Sequence, residues 1–129
     1  MNKYILITNN PLVLDKYKNQ NIVIEKCEKI NEIFRKTRDL IHKGYILVSH
    51  PLAGSVKPFK NPYRSIILKE NAQLDMSSLK AYENSFEKYQ QFKANKKEVD
   101  ELPQEILEDY QVIDLSLIES ALQSIDLAD

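Results

Sequence analysis

The sequence NIVIEKCEKINEIFRKTRDLIHKGYILVS, residues 21–49, decides the fold class. Residues 21–26 and 45–49 are short runs of apolar and β-branched residues, which are typical of buried strands. Between them, apolar side chains recur every three or four residues, which predicts an amphipathic helix over 28–43. Gly44 follows, and glycine commonly ends a helix in the left-handed conformation. Strand, helix and strand in this order predict a parallel crossover.

Two further strands are predicted outside this stretch, at residues 3–8 and 65–69. Pro11 opens a short helix that ends at Tyr17, because proline suits the first position of a helix. Strands that are apolar throughout favour a parallel sheet with both faces covered. The sequence therefore predicts an α/β fold, three-layer, with about four mostly parallel strands and C-terminal helices.

The pattern is helical from Asp75 onward. Asp75 or Ser77 can cap a long helix, and Pro103 can open a short one. Ser116 and Glu119 have the spacing of a capping box, which predicts that a separate last helix begins there.

The length of 129 residues and the hydrophobic content of 43% suit a single domain. We expect it to span 1–129, with the sheet and its crossover helix in 1–70 and a helical extension in 71–129. All 18 basic residues lie in 1–97, which carries a charge of +9, whereas 98–129 carries −10. The acidic segment is therefore expected either to be solvated or to pack on the basic body.

The composition also argues against several classes of protein. A net charge of −1 is unlike that of a dedicated nucleic-acid-binding domain, so no nucleic acid is expected as a partner. The chain shows no signal peptide and no apolar run long enough for a membrane, which predicts a cytoplasmic protein. Cys27 is the single cysteine, so no internal disulfide and no zinc-ligand spacing are present. Phosphate-loop and dinucleotide fingerprints are missing, and no cofactor or metal is predicted.

The loop SHPLAGSVKPFKNPYRS, residues 49–65, holds three of the five prolines and one of the two glycines. Proline fixes φ and glycine allows unusual backbone conformations, so the loop is predicted to follow one defined path. It carries Lys57, Lys60 and Arg64 and no acid. A loop of this length within a small domain is usually either functional or disordered, and the sparse glycine and the strands predicted on either side favour function.

A ligand site is expected where this loop leaves the sheet, because open α/β sheets bind ligands beyond the carboxyl ends of their strands. If the first and third strands are neighbours, the side chains that follow them face one crevice. The backbone after Ala53, a hydroxyl and an ammonium group suit a small anion there. The predicted ligand-binding residues are Asn9, Asn10, His50, Gly54, Ser55, Lys57 and Arg64.

Two alternatives assign the loop other roles. In the first, the protein is a small enzyme in which His50 acts as acid or base on a carboxylate or phosphate ligand. A nucleophilic Ser49 or Ser55 would also require an acid behind His50, and Asp39 is the only nearby candidate in the sequence. In the second alternative, the loop is a structural contact between two copies of the chain.

Several motifs resemble those of the GrdX family. They are ITNNPLV near the start, RDLIHKG at residues 38–44, SHPLAGSVKPFKNPYRSIIL from residue 49 and DYQVIDLSLIE near the end. The resemblance covers nearly the whole chain. It implies an accessory protein of the glycine reductase system, encoded with the glycine, sarcosine and betaine reductase components of amino-acid-fermenting bacteria. Those components are the implied partners, and the resemblance carries over no catalytic residue.

Overall fold

A computed structural model describes residues 3–51, 60–95 and 102–125. These residues form a mixed α/β fold with one four-stranded sheet and four helices. No helix in the described ranges combines the length and the apolar character that crossing a membrane requires. In chain order the elements are β1 (Tyr4–Thr8), α1 (Pro11–Tyr17), β2 (Val23–Lys26), α2 (Ile30–His42), β3 (Ile46–Leu47), β4 (Ser65–Lys69), α3 (Met76–Asn95) and α4 (Gln104–Gln123).

The sheet has the strand order β2-β1-β4-β3. β1 pairs with β2 in parallel, whereas β4 runs antiparallel to both β1 and β3. The prediction of four strands is confirmed, and the prediction that they are mostly parallel is wrong. β3 ends and β4 begins at the same end of the sheet, as in any directly connected antiparallel pair, so β4 runs opposite to β3. β1 and β3 are not neighbours, because β4 lies between them.

The helix predicted within residues 21–49 is present as α2, but the strands on either side of it do not pair. β2 and β3 lie at opposite edges of the sheet, and α2 packs against β1 and β4 between them. The adjacent parallel pair is β1 and β2, which α1 connects. Gly44 ends α2 with a φ of 100°, as predicted, and a Cβ there would lie 3.1 Å from the carbonyl oxygen of Asn71.

Apolar side chains on the two faces of the sheet belong to two separate clusters. Successive strand residues point to opposite faces, so Ile5 and Leu6 fall in different clusters. The first cluster contains side chains of α2 and α3, and the second contains side chains of α1 and α4. Helices therefore cover both faces, which explains why β1 and β4 are buried on both sides although most of the pairing is antiparallel.

α4 is one continuous helix of 20 residues, so the prediction of two helices in this region is wrong. No glycine or proline occurs within it, and nothing interrupts its hydrogen bonding. Ser116 lies inside the helix, where its carbonyl oxygen accepts a hydrogen bond from Ser120 Oγ at 3.2 Å. The capping-box spacing is therefore not used as a helix start.

The acidic C-terminal segment, as far as it is described, packs on the body of the protein. Ile118 and Leu122 of α4 are buried in the second cluster. Glu119 forms an exposed ion pair with Lys16 of α1. Water screens this exposed pair, so burial of the two apolar side chains contributes more to the attachment of α4 than the ion pair does.

Candidate functional site

Polar side chains converge where β1 ends and β4 begins. Thr8 and Ser65 are directly paired across the two strands, and their hydroxyl oxygens are 2.7 Å apart. Ser65 Oγ also donates to Asp114 Oδ2 of α4 at 2.7 Å. The end of β1 and the start of β4 are thus joined to α4 by a series of buried hydrogen bonds.

Asn10 is fully buried and links three elements at this edge. Its Oδ1 accepts a hydrogen bond from the backbone N–H of Leu12 at 3.0 Å and so caps α1. Its Nδ2 donates to the carbonyl oxygen of Gln111 at 2.8 Å and to Asp114 Oδ2 at 3.0 Å. Asn10, a predicted ligand-binding residue, therefore joins β1, α1 and α4 through hydrogen bonds. We call the hydrogen-bonded group of Asn10, Ser65 and Asp114 the clasp.

Asn9 holds the end of the loop before β4. Its Oδ1 accepts from the backbone N–H of Arg64 at 2.8 Å, and its Nδ2 donates to the carbonyl oxygen of Pro62 at 2.9 Å. These bonds fix the backbone from which the Arg64 side chain extends.

Arg64 is buried, with 6% of its surface exposed. Its NH1 group donates to the carbonyl oxygen of Pro51 at 3.0 Å, across the base of the loop. Burial lowers the pKa of the guanidinium, and the nearby charge of Asp114 opposes that shift. Guanidinium groups nevertheless stay protonated in proteins, so Arg64 is a buried positive charge.

Asp114 is the buried acid of the site, with 5% of its surface exposed. Burial raises the pKa of its carboxyl group above the ordinary value, because the charged form is poorly solvated. Hydrogen bonds from Ser65 and Asn10 and the charge of Arg64 oppose that shift. Its acid strength therefore depends on the groups around it.

A cleft of about 370 Å³ opens beside Asp114 and Arg64. Three parts of the chain form its walls: residues 48–51 after β3, the start of β4, and the second half of α4. His50 lies on the exposed side of the cleft. The lining residues are Val48, Ser49, His50, Pro51, Arg64, Ser65, Asp114, Leu117, Ile118, Ser120 and Ala121.

The structure brings some of the predicted site residues together and separates others. His50 and Arg64 share the cleft, whereas Asn9 and Asn10 lie behind it and support Arg64 and Asp114. Gly54, Ser55 and Lys57 lie outside the described residues.

The candidate that the sequence offers for an acid behind His50 does not line the cleft. Asp39 is on the exposed surface of α2, where it pairs with Arg38 at 3.4 Å. The acid that shares the cleft with His50 is Asp114. Ser49 is also in the cleft, but its Oγ accepts a hydrogen bond from the backbone N–H of Ile67 at 2.9 Å.

Comparison with protein-family models gives a match to the GrdX-like protein family over residues 5–123. The chain belongs to this family. The match includes every element that lines the cleft. Searches of curated proteins and of solved structures found no match.

Asp114 was missed by the sequence analysis, although the sequence contains a signal for it. It lies four residues before Ile118 and eight before Leu122, on the stripe of α4 that faces the sheet. An acid on the buried stripe of a helix requires polar partners, which makes it a site candidate. The assumed break before Ser116 placed Asp114 outside any helix and hid this pattern.

A second, larger groove of about 680 Å³ lies between α1 and the outer side of β2. Pro11, Leu14, Ile22 and Ile24 line it, with charged side chains around them. It contains no buried charge, and the described part of the chain has no group of His, Cys, Asp or Glu side chains that could hold a metal ion. The smaller cleft is therefore the better candidate site, because its polar groups are buried and directed by neighbours.

Proposed function

We propose that the protein is an accessory component of the glycine reductase system and that it binds a small carboxylate-bearing molecule in the cleft lined by residues 48–51, Arg64 and α4. Membership of the GrdX-like family supports the association, since the family name points to glycine reductase. The buried Arg64 at the wall of the cleft is the observation that carries the binding proposal.

The shape of the cleft supports a small ligand. Its volume of about 370 Å³ falls near the lower end of the range of ligand pockets, about 300–1,000 Å³. Apolar side chains from Val48 and Leu117 line it together with a few polar groups, which is the usual composition of such sites.

Arg64 provides a cationic partner for a carboxylate in a cleft that Asp114 also lines. A guanidinium can donate two parallel hydrogen bonds to a carboxylate, and such pairs strengthen where water is excluded. Arg64 is held in place at its backbone by Asn9 and at its side chain by Pro51. His50 adds an exposed basic side chain to the lining of the cleft.

Binding can be tested with acetate as the probe. Arg64→Lys retains the charge and loses the planar pair of donors, so it should weaken acetate binding about tenfold in calorimetry. Lys60→Ala, in the same loop and exposed, is the matched control and should change binding little. Equal acetate affinity in the wild type and in Arg64→Lys would contradict the assignment of Arg64.

The association with glycine reductase needs a test in cells. A tagged copy of the protein should recover reductase components that mass spectrometry identifies, or its deletion should change reductase activity. If neither occurs, the proposed role in this system is wrong.

An enzymatic function remains the alternative, because His50 and Asp114 share one cleft and both can exchange protons. In that case small carboxylates or phosphates incubated with the protein should be converted, as followed by NMR spectroscopy. His50→Ala should abolish the conversion, and conversion that persists in this variant would exclude His50 as the acid or base.

A further inference from the structure

We infer that the cleft recognises a small α-amino acid, with Arg64 binding the carboxylate and Asp114 binding the ammonium group. The inference rests on the proposed function, since it concerns the same cleft, and it adds the class of ligand. A buried cation and a buried carboxylate line one small cavity, on β4 and on α4 respectively. A ligand that carries both opposite charges on adjacent carbon atoms matches that pair.

Asp114 has acceptor capacity beyond its role in the clasp. The two hydrogen bonds that it accepts from side chains, from Asn10 Nδ2 and Ser65 Oγ, both end on Oδ2, and the backbone N–H of Ser65 also interacts with the carboxylate. Oδ1 accepts no hydrogen bond from a side chain among the described residues, and Asp114 is one of the residues lining the cleft. An ionised carboxylate offers about four lone-pair sites, so an ammonium group can bind without displacing the clasp.

The clasp alone does not explain why this residue is an acid. The amide oxygen of an asparagine would accept the same two hydrogen bonds without placing a charge among apolar neighbours. A buried carboxylate is costly, and the raised pKa of Asp114 indicates that burial outweighs its present partners, which include the charge of Arg64. A cationic group of a ligand in the cleft would add to that compensation.

The remaining walls limit the size of the ligand. Val48, Leu117 and Ala121 are apolar, and Ile118 closes the side nearest the core. They suit an amino acid with a very small or apolar side chain. An additional charge on the ligand would be desolvated without a partner in this region.

The inference also predicts a difference in affinity between ligands whose ammonium group has N–H donors and ligands whose ammonium group has none. A primary or secondary amine can donate a hydrogen bond to Asp114 Oδ1, whereas a trimethylammonium group cannot. We therefore expect glycine to bind more tightly than its trimethylated form, glycine betaine.

Calorimetry of the full chain at pH 7 tests the inference with glycine, glycine betaine, acetate and methylammonium as probes. Glycine should bind most tightly. Asp114→Asn should reduce glycine affinity about 10- to 100-fold, the effect of losing one charged hydrogen bond, and should not reduce acetate affinity, because it removes a negative charge that repels the acetate carboxylate. Asp109→Asn removes an exposed acid from the same helix and should change neither affinity.

Several outcomes would overturn the inference. If acetate binds as tightly as glycine in the wild type, the ammonium group is not recognised, and the proposed carboxylate site remains valid. If Asp109→Asn weakens glycine binding as much as Asp114→Asn, only the overall charge matters. If neither acetate nor glycine binds, the proposed binding function fails as well. The wild-type comparison decides even if Asp114→Asn does not fold.

Discussion

The clasp around Asp114 makes a stability prediction that separates its hydrogen bonds from its charge. Asp114→Asn keeps an acceptor for Asn10 Nδ2 and Ser65 Oγ, whereas Asp114→Ala removes it. Ser65 Oγ and Thr8 Oγ1, 2.7 Å apart, can still bond to each other, but one of their two hydroxyl protons then lacks this acceptor, so the cost of leaving an Asn10 N–H without a partner is a lower bound. One N–H of Asn10 still bonds the carbonyl oxygen of Gln111, so the alanine variant strands the other.

A buried donor without a partner costs about 1–3 kcal/mol. Because both variants lack the carboxylate charge, Asp114→Ala should be less stable than Asp114→Asn by at least that amount. Urea unfolding followed by circular dichroism at pH 7 measures the difference. With a slope of about 1–3 kcal/mol per M, the midpoints should differ by about 1 M. Equal midpoints for the two variants would refute the clasp.

The comparison with the wild type depends on pH. The folded-state pKa of Asp114 is raised by burial, so protonation of Asp114 favours the folded state over the unfolded chain. This contribution to stability is complete below the unfolded pKa and is lost as pH rises through the higher folded value. Asp114→Asn cannot ionise, and its stability relative to the wild type should therefore increase with pH across that window. A relative stability that falls as pH rises would contradict the direction of the shift.

Three further predictions concern the fold. Ile118 is 2% exposed, so Ile118→Ala should lower the free energy of unfolding by about 2–5 kcal/mol. Ile113 is 51% exposed, so the control Ile113→Ala should change it by less than about 0.5 kcal/mol. Equal losses of the two variants in thermal or urea unfolding would contradict the packing of α4. Gly44→Ala should cost about 1–2 kcal/mol in the same assay because its φ is 100°, and an unchanged midpoint would argue against that conformation. Burial raises the pKa of the Cys27 thiol, so native protein at pH 8 should react slowly with a thiol reagent and rapidly in urea; immediate labelling of the native protein would show that the thiol is accessible.

Local pattern predicted the elements of this fold better than it predicted their arrangement. β4 and α1 begin and end at the predicted residues, because turn residues and proline mark their limits. The direction of β4 was not predictable in this way. An apolar run indicates that both faces of a strand are covered. Helices cover both faces of this sheet, so the run does not distinguish a parallel from an antiparallel neighbour.

The site was predictable only in part for a similar reason. The loop composition pointed to His50 and Arg64, and both line the cleft. Asp114 lies far along the chain from them and joins the site only because α4 packs on the sheet beside Ser65. The sequence of the loop alone does not indicate this long-range contact. The acid on the buried stripe of α4 can nevertheless be recognised in the sequence.

The central claim is that the cleft beside Arg64, and not the larger groove between α1 and β2, is where this protein binds a small carboxylate. Backbone amide NMR spectra of the full chain, recorded during titration with acetate and then with glycine, test it most directly. We expect the changes in amide chemical shift to be concentrated in the walls of the cleft, residues 48–50, 64–65 and 114–121. Shifts centred on Leu14 and Ile24, or none at millimolar ligand, would contradict it.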